Sequence, residues 1–267
     1  MRKMYICTDS VTGIFSAVYE AWKSGRDSDT CGIVFRGKVE QELFCEYCEI
    51  EESERKALAV EKMILRHLGE RAYWDIYHAA LSEREEKGNA ILGAMLEARR
   101  IPDSTKIMDH LSHPMVEKVF EMSRSVDGEA HQLKGFLRFR ELEGGILFAE
   151  ITPKNRVLTC LAPHFSDRLP TENWMIYDKN HQEIALHEAG KRWVLASDDT
   201  LDFEKTRNIS EAERHFSELW KGFCRTISIE ERSNPRCQRQ HLPLWYRVTM
   251  TDFDASRRRE EDGEAAD

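Results

Sequence analysis

Between Leu133 and Arg140 a basic or aromatic residue occupies every second position: Lys134, Phe136, Arg138 and Arg140. Read as a strand, the segment sends these four to one face and Leu133, Gly135, Leu137 and Phe139 to the other. Cations about 7 Å apart on a strand face, interrupted by one ring, suit a phosphodiester backbone with a base stacked on the ring. The same spacing fits a solvated strand face with one phenylalanine tucked beneath a helix.

Other stretches carry chemistry of the same kind. Asn234-Pro235 suits an N-cap and first helical position, so the next backbone N–H groups face outward between Arg232 and Arg236. Free donors and two guanidinium forks form a phosphate or carboxylate site, unless the arginines pair with Glu230 and Glu231. Gln238 and Gln240 suit base edges or the bracing of loops. Arg214, Glu218, Lys221 and Arg225 form a polar stripe at helical spacing, which an ordinary wet helix face also explains. His164 follows Pro163 on a rigid bend with Arg168 four residues on, and His131 opens the basic strand. Two histidines that converge can transfer protons at neutral pH; more often such residues are structural. Cys45 and Cys48 form a lone C-x-x-C with no second pair at zinc spacing. Phosphate-loop, dinucleotide, zinc-protease and nucleophile-elbow motifs are missing from the sequence. No metal or cofactor is expected.

These residues sit in a chain of 267 residues with 41% apolar and 33% charged residues, enough for a core without disulfide staples. The start has no signal-peptide h-region, no apolar run is long enough to span a membrane, and seven scattered cysteines suit a reducing compartment. A cytoplasmic protein is the expectation. The net charge of −9 argues against a sticky nucleic-acid coat protein, yet its distribution is uneven. Residues 40–54 carry seven acids and no base, whereas 205–247 carry nine bases against five acids.

Periodicity supplies the elements. Tyr5-Ile6-Cys7 reads as a strand running through Thr8-Asp9-Ser10 into a helix with Ile14, Phe15, Val18 and Trp22 on one face. Residues 31–36 read as a second strand, and 54 to about 126 as a helical lobe. Two strands follow, 133–139 and 146–151, joined as a hairpin through Glu143-Gly144-Gly145. Pro163 limits 157–169 to a short helix and a bend. A meander near 174–177, 183–187 and 193–196 comes next. Ser210 to Glu213 is a capping box, opening a helix whose Phe216, Leu219, Trp220, Phe223 and Ile227 should face the core. A last segment from Trp245 packs back on the body, and the tail from Asp254 should be disordered. The expectation is a single α+β domain over 1–253: a mainly antiparallel sheet flanked by helices, with the helical lobe in the middle third.

Several phrases resemble the bacterial probable DNA-metabolism protein family: His131-Gln-Leu-Lys-Gly-Phe-Leu-Arg-Phe, Leu161-Ala-Pro-His-Phe, Trp174-Met-Ile-Tyr-Asp, Arg232-Ser-Asn-Pro-Arg, and Gln240 with Pro243 and Tyr246. Members of that family accompany a radical-SAM protein resembling DNA-repair lyases, and the domain also occurs fused to uracil-DNA-glycosylase-like domains. The resemblance implies a role in DNA repair or modification. It marks His131, Phe136, Arg138, His164, Arg168, Lys221, Arg232, Asn234, Arg236, Gln240 and Tyr246 as shared positions; Cys237 and His241 depart from the pattern. The expected function is a DNA-binding accessory beside a radical-SAM partner enzyme, holding a single or damaged strand. Lys134, Arg138, Lys221, Arg232 and Arg236 would touch phosphate, and Phe136 or Tyr246 would stack a base. Two alternatives stand beside it: an enzyme on a nucleotide or DNA lesion using His131 or His164 as acid and base, and an adaptor docking its partner through the acidic 40–54 stretch.

Overall fold

A computed structural model describes residues 2–25, 30–39, 43–200, 204–227, 234, 236, 240–247 and 249–250. The chain divides into two compact units, 1–129 and 130–267, the division falling inside one long helix. The architecture is α+β, as expected from the sequence.

Unit 1 opens with β1 (Arg2–Cys7), which enters α1 (Val11–Lys23) through Thr8-Asp9-Ser10. The Ser10 hydroxyl caps the helix by accepting from Gly13 N at 2.9 Å. A Cβ on Gly13 would lie 2.4 Å from Thr8 Oγ1, so only glycine lets the turn fold onto the helix. β2 (Cys31–Phe35) and β3 (Cys45–Glu49) flank β1 in a parallel sheet of order β2-β1-β3. The sequence reading missed β3, because its alternation is buried in an acid-rich run. The helical lobe follows as α2 (Glu54–His67), α3 (Gly69–Leu81) and α4 (Lys87–Ala98), then α5 (Pro114–Phe136). Ile14, Phe15, Ile33, Phe35, Ile64, Ile76 and Met95 form the centre of its core.

One charge is built into that core. Lys87 is 2% exposed, its ammonium 2.5 Å from Asp9 Oδ1, donating to Ser82 O at 2.6 Å and lying 5.3 Å from the Phe35 ring centroid. Burial, with Asp9 alongside, pushes the neighbouring Cys7 thiol up to about 12, so it stays protonated and inert.

Unit 2 holds a five-stranded sheet of order β4-β5-β6-β7-β8: β4 (Arg140–Leu142), β5 (Ile146–Ile151), β6 (Trp174–Asp178), β7 (Glu183–His187) and β8 (Val194–Ser197). The β4–β5 hairpin and the β6–β7–β8 meander are antiparallel; β5 and β6 run parallel, joined through α6 (Leu158–Arg168). A parallel pair needs such a crossover. α7 (Glu211–Ile227) and α8 (Leu244–Arg247) complete the described elements.

Three expectations need correction. Residues 133–136 are helix, and the strand begins only at Arg140. The buried stripe Val116, Val119, Met122, Val126, Ala130 runs on into Leu133 and Leu137. A spacing of four puts Leu133 and Leu137 on one face in either period, and the longer helical stripe prevails. Pro163 sits inside α6 without ending it, because Leu158, Leu161, Ala162 and Phe165 bury one face across the proline. The α7 face is solvent-exposed: Phe216 at 70%, Leu219 at 56%, Trp220 at 52% and Phe223 at 53%. Amphipathicity marks the face that seeks cover without saying what covers it. The predicted disordered tail lies outside the described residues. No helix among the described residues is long and apolar enough to cross a membrane.

The Lys87–Asp9 pair tests how unit 1 is held. Asp9→Asn strands a buried ammonium and should lower stability by about 3 kcal/mol in urea unfolding. Lys87→Met added to Asp9→Asn should restore most of it; equal stability of wild type and Asp9→Asn would show that the pair carries none of the fold.

Candidate nucleic-acid interface

The site begins where α5 ends. Phe139, just past the helix, meets Phe165 of α6 edge-on (centroids 5.2 Å apart, 85°) and lies 6.4 Å from the Trp174 ring. Trp174 is fully buried and stacked on His187 at 5.0 Å, with His187 Nδ1 2.9 Å from Glu172 O. These rings lock the last turns of α5 against α6 and the sheet. Arg138 Nη1 donates to Gly135 O (2.8 Å) and Leu137 O (3.1 Å), capping the helix end and offsetting the partial negative charge there.

Residues 134 and 136 differ by about 200° around a helix, so the comb of the strand reading separates into two groups. On one side Lys134 lies near enough to His164 of α6 to act on its charge, as does Arg168 of the same helix. Burial lowers the His164 pKa below the ordinary histidine range, and the charges of Lys134 and Arg168 lower it further against an opposing pull from Asp167. Lys134 and Arg168 stand in no ion pair among the described residues. His164 thus has two cations near it against the one carboxylate of Asp167, a balance of charge that favours an anion.

On the other side, Phe136 packs on Tyr246 of α8 at 5.2 Å, and the Tyr246 hydroxyl donates to Gln132 Oε1 at 2.8 Å. Tyr246 is 6% exposed, so its ring braces the site and offers no open face for a base. The open ring is its neighbour Trp245, 36% exposed, 4.8 Å from Tyr246 and carrying the Lys154 ammonium 5.2 Å from its centroid. The loop bearing Lys154 is held by Asn180 Nδ2, which donates to Pro153 O at 2.8 Å. Asp178, fully buried, accepts from the backbone N–H groups of Asn180 and His181 and lies 2.6 Å from His181 Nδ1.

The His131 side chain is exposed and makes no hydrogen bond, ion pair or ring contact among the described residues, so no contact there joins it to His164. Arg140 lies over Phe148 at 5.2 Å and donates to Thr206 O at 3.3 Å, a structural post. Asn234, Arg236 and Gln240 are exposed. Lys221 falls on α7 with its side chain outside the described set, and Arg232 lies outside the described residues altogether. Sequence reasoning missed Trp245 and Lys154. The Trp245-Tyr246 doublet after Pro243 was the available signal for the first; nothing in the sequence pointed to Lys154.

A family model described as a domain of unknown function, DUF4130, matches residues 85–252, well over half of the chain. No curated protein matches it.

The charge balance around His164 is open to measurement. In ¹⁵N-detected titrations of the ring, Lys134→Met or Arg168→Met should move the His164 midpoint upward, since each removes a cation that opposes protonation. An unmoved midpoint in both variants would separate the three side chains.

Proposed function

The chain belongs to the DUF4130 family, and from that premise we propose that it is a DNA-binding accessory protein in repair or modification, gripping a single or damaged strand for a radical-SAM partner enzyme. The observation that carries this reading is the cation pair Lys134 and Arg168 about a neutral His164, with the open Trp245 ring and Lys154 beyond the end of the same helix. A phosphate would neutralise the first group and a base would stack on the second. The association of the family with uracil-DNA-glycosylase-like proteins supports the choice of DNA as the anion. Binding should prefer single strands, because an exposed ring reads an unstacked base while a duplex keeps its bases covered.

A second reading is favoured by one feature. A neutral imidazole next to two cations is also a general base beside an oxyanion site. His164 would then take a proton from a nucleotide or lesion whose phosphate the cations hold. Turnover by the purified chain, abolished in His164→Ala, would select this reading over the accessory role.

Fluorescence anisotropy with a labelled single-stranded oligonucleotide tests the binding itself. Lys134→Ala/Arg168→Ala should weaken binding and flatten its salt dependence, each lost contact lowering the log–log slope by about 0.7. Trp245→Ala should weaken binding by about 1 to 3 kcal/mol with little change in slope. Affinity should also rise as pH falls below the ordinary histidine range, because bound phosphate favours the protonated His164 that the two cations disfavour. Binding that is salt-independent, or indifferent to all three substitutions, would overturn the reading.

A further inference from the structure

Unit 1 contains a cleft of about 260 Å³ between α1, α2 and α3. Its walls include Phe15 and Leu58 and the paired rings of Tyr73 and Tyr77, stacked at 6.0 Å and 27°. Trp74 stands edge-on to both tyrosines, at 5.2 and 5.9 Å, and is 48% exposed. Two carboxylates, Glu54 and Glu61, share the lining, and no basic side chain is among its described residues. Burial, with Glu61 and Tyr77 alongside, pushes the Tyr73 hydroxyl up to about 12. Neither glutamate has an ion-pair partner among the described residues; Lys56, on the same helix, is 2.9 Å from Glu20. Negative charge therefore gathers at an aromatic-lined opening, with no cation paired to it among the described residues.

We propose that this cleft receives the guanidinium or ammonium head of an arginine or lysine side chain, presented by a basic segment of a partner protein. Tyrosine faces attract such a head through their quadrupole, and they do so more strongly where water is excluded. The volume falls below that of a drug-sized ligand site and suits one long side chain. Its stem would lie on Leu58 and Phe15 while the head meets Glu54 and Glu61. Glu51 precedes Glu54 in the chain, with Glu49 paired to Arg36 and Glu52 accepting from Thr8 and Ser10, so a flanking basic residue of the same segment has one further carboxylate to meet. The cleft is built from residues before 85, where the family match begins, and the proposal does not depend on DNA binding.

The test is anisotropy of a labelled acetyl-Gly-Arg-Lys-Arg-Gly-amide peptide against the full chain at physiological salt. One-to-one saturable binding is expected. Glu61→Gln and the uncharged change Tyr77→Leu should each weaken it about tenfold, while Glu143→Gln, an acid of the β4–β5 turn, should leave it unaltered. Leu58→Lys replaces an exposed side chain and should block the cleft with the protein's own ammonium, which keeps the test decisive if Tyr77→Leu fails to fold. Single-stranded DNA affinity should be the same in wild type and Glu61→Gln. Three results would overturn the proposal: no saturable binding, equal losses in Glu61→Gln and Glu143→Gln, or N-acetylarginine amide binding as tightly as the peptide.

Discussion

The unit 2 site depends on α5 staying helical to Phe136 and then being stopped by aromatic packing. Phe139 fixes the exit of the helix against Phe165 and Trp174, and that contact sets the rotation of everything just before it. With this rotation Lys134 turns toward α6 and Phe136 toward α8. A strand through the same residues would have set all the cations on one face and given a continuous ribbon. The helix gives a cationic group and an aromatic group on opposite sides of one helix end, braced respectively by α6 and by Tyr246 with Gln132.

Much of this was legible in the sequence because it depended on local period. The β1–turn–α1 opening, the run of helices and the β6–β7–β8 meander follow from patterns that repeat several times within each element. The end of α5 was misread because a spacing of four satisfies both periods. Leu133 and Leu137 share a face whether the chain is helix or strand, and only the stripe reaching back to Val116 distinguishes them. β3 was lost because Cys45, Tyr47 and the glutamates around them carry too little apolar contrast to mark a strand. Tyr246 is expected from the sequence as a base-stacking residue, but its burial could not be read there: Gln132, whose Oε1 accepts the hydrogen bond from its hydroxyl, is 114 positions away in the chain. Lys154 was invisible for a similar reason, since a lysine in a turn acquires meaning only from the ring it finds.

The apolar face of α7 shows what periodicity leaves open. Hydrophobic residues at helical spacing establish that a face gains free energy when covered. The covering surface is a tertiary matter. In the described residues α7 is tied to the sheet by its polar side, where Ser210 caps the first turn by accepting from Glu213 N, and Glu213 Oε2 accepts from Glu141 N. The hydrogen bonds position the helix while its apolar side faces solvent.

The net charge of −9 is compatible with an anion site because the two act over different distances. At physiological salt, exposed charges more than about 8 Å away are largely screened, so a bound phosphate responds mainly to its immediate neighbours. Near His164 those neighbours are Lys134 and Arg168, with Asp167 in opposition. Their influence on the imidazole has the same origin as their attraction for an anion: both express a local positive potential in a partly buried place. Burial is the larger cause of the lowered His164 pKa; the share that Lys134 and Arg168 add to it has the same electrostatic origin as the anion binding proposed for them. Removing either cation would reduce both that share and the proposed attraction for phosphate, whereas the Trp245 ring, which would act through stacking, is free to vary independently of both.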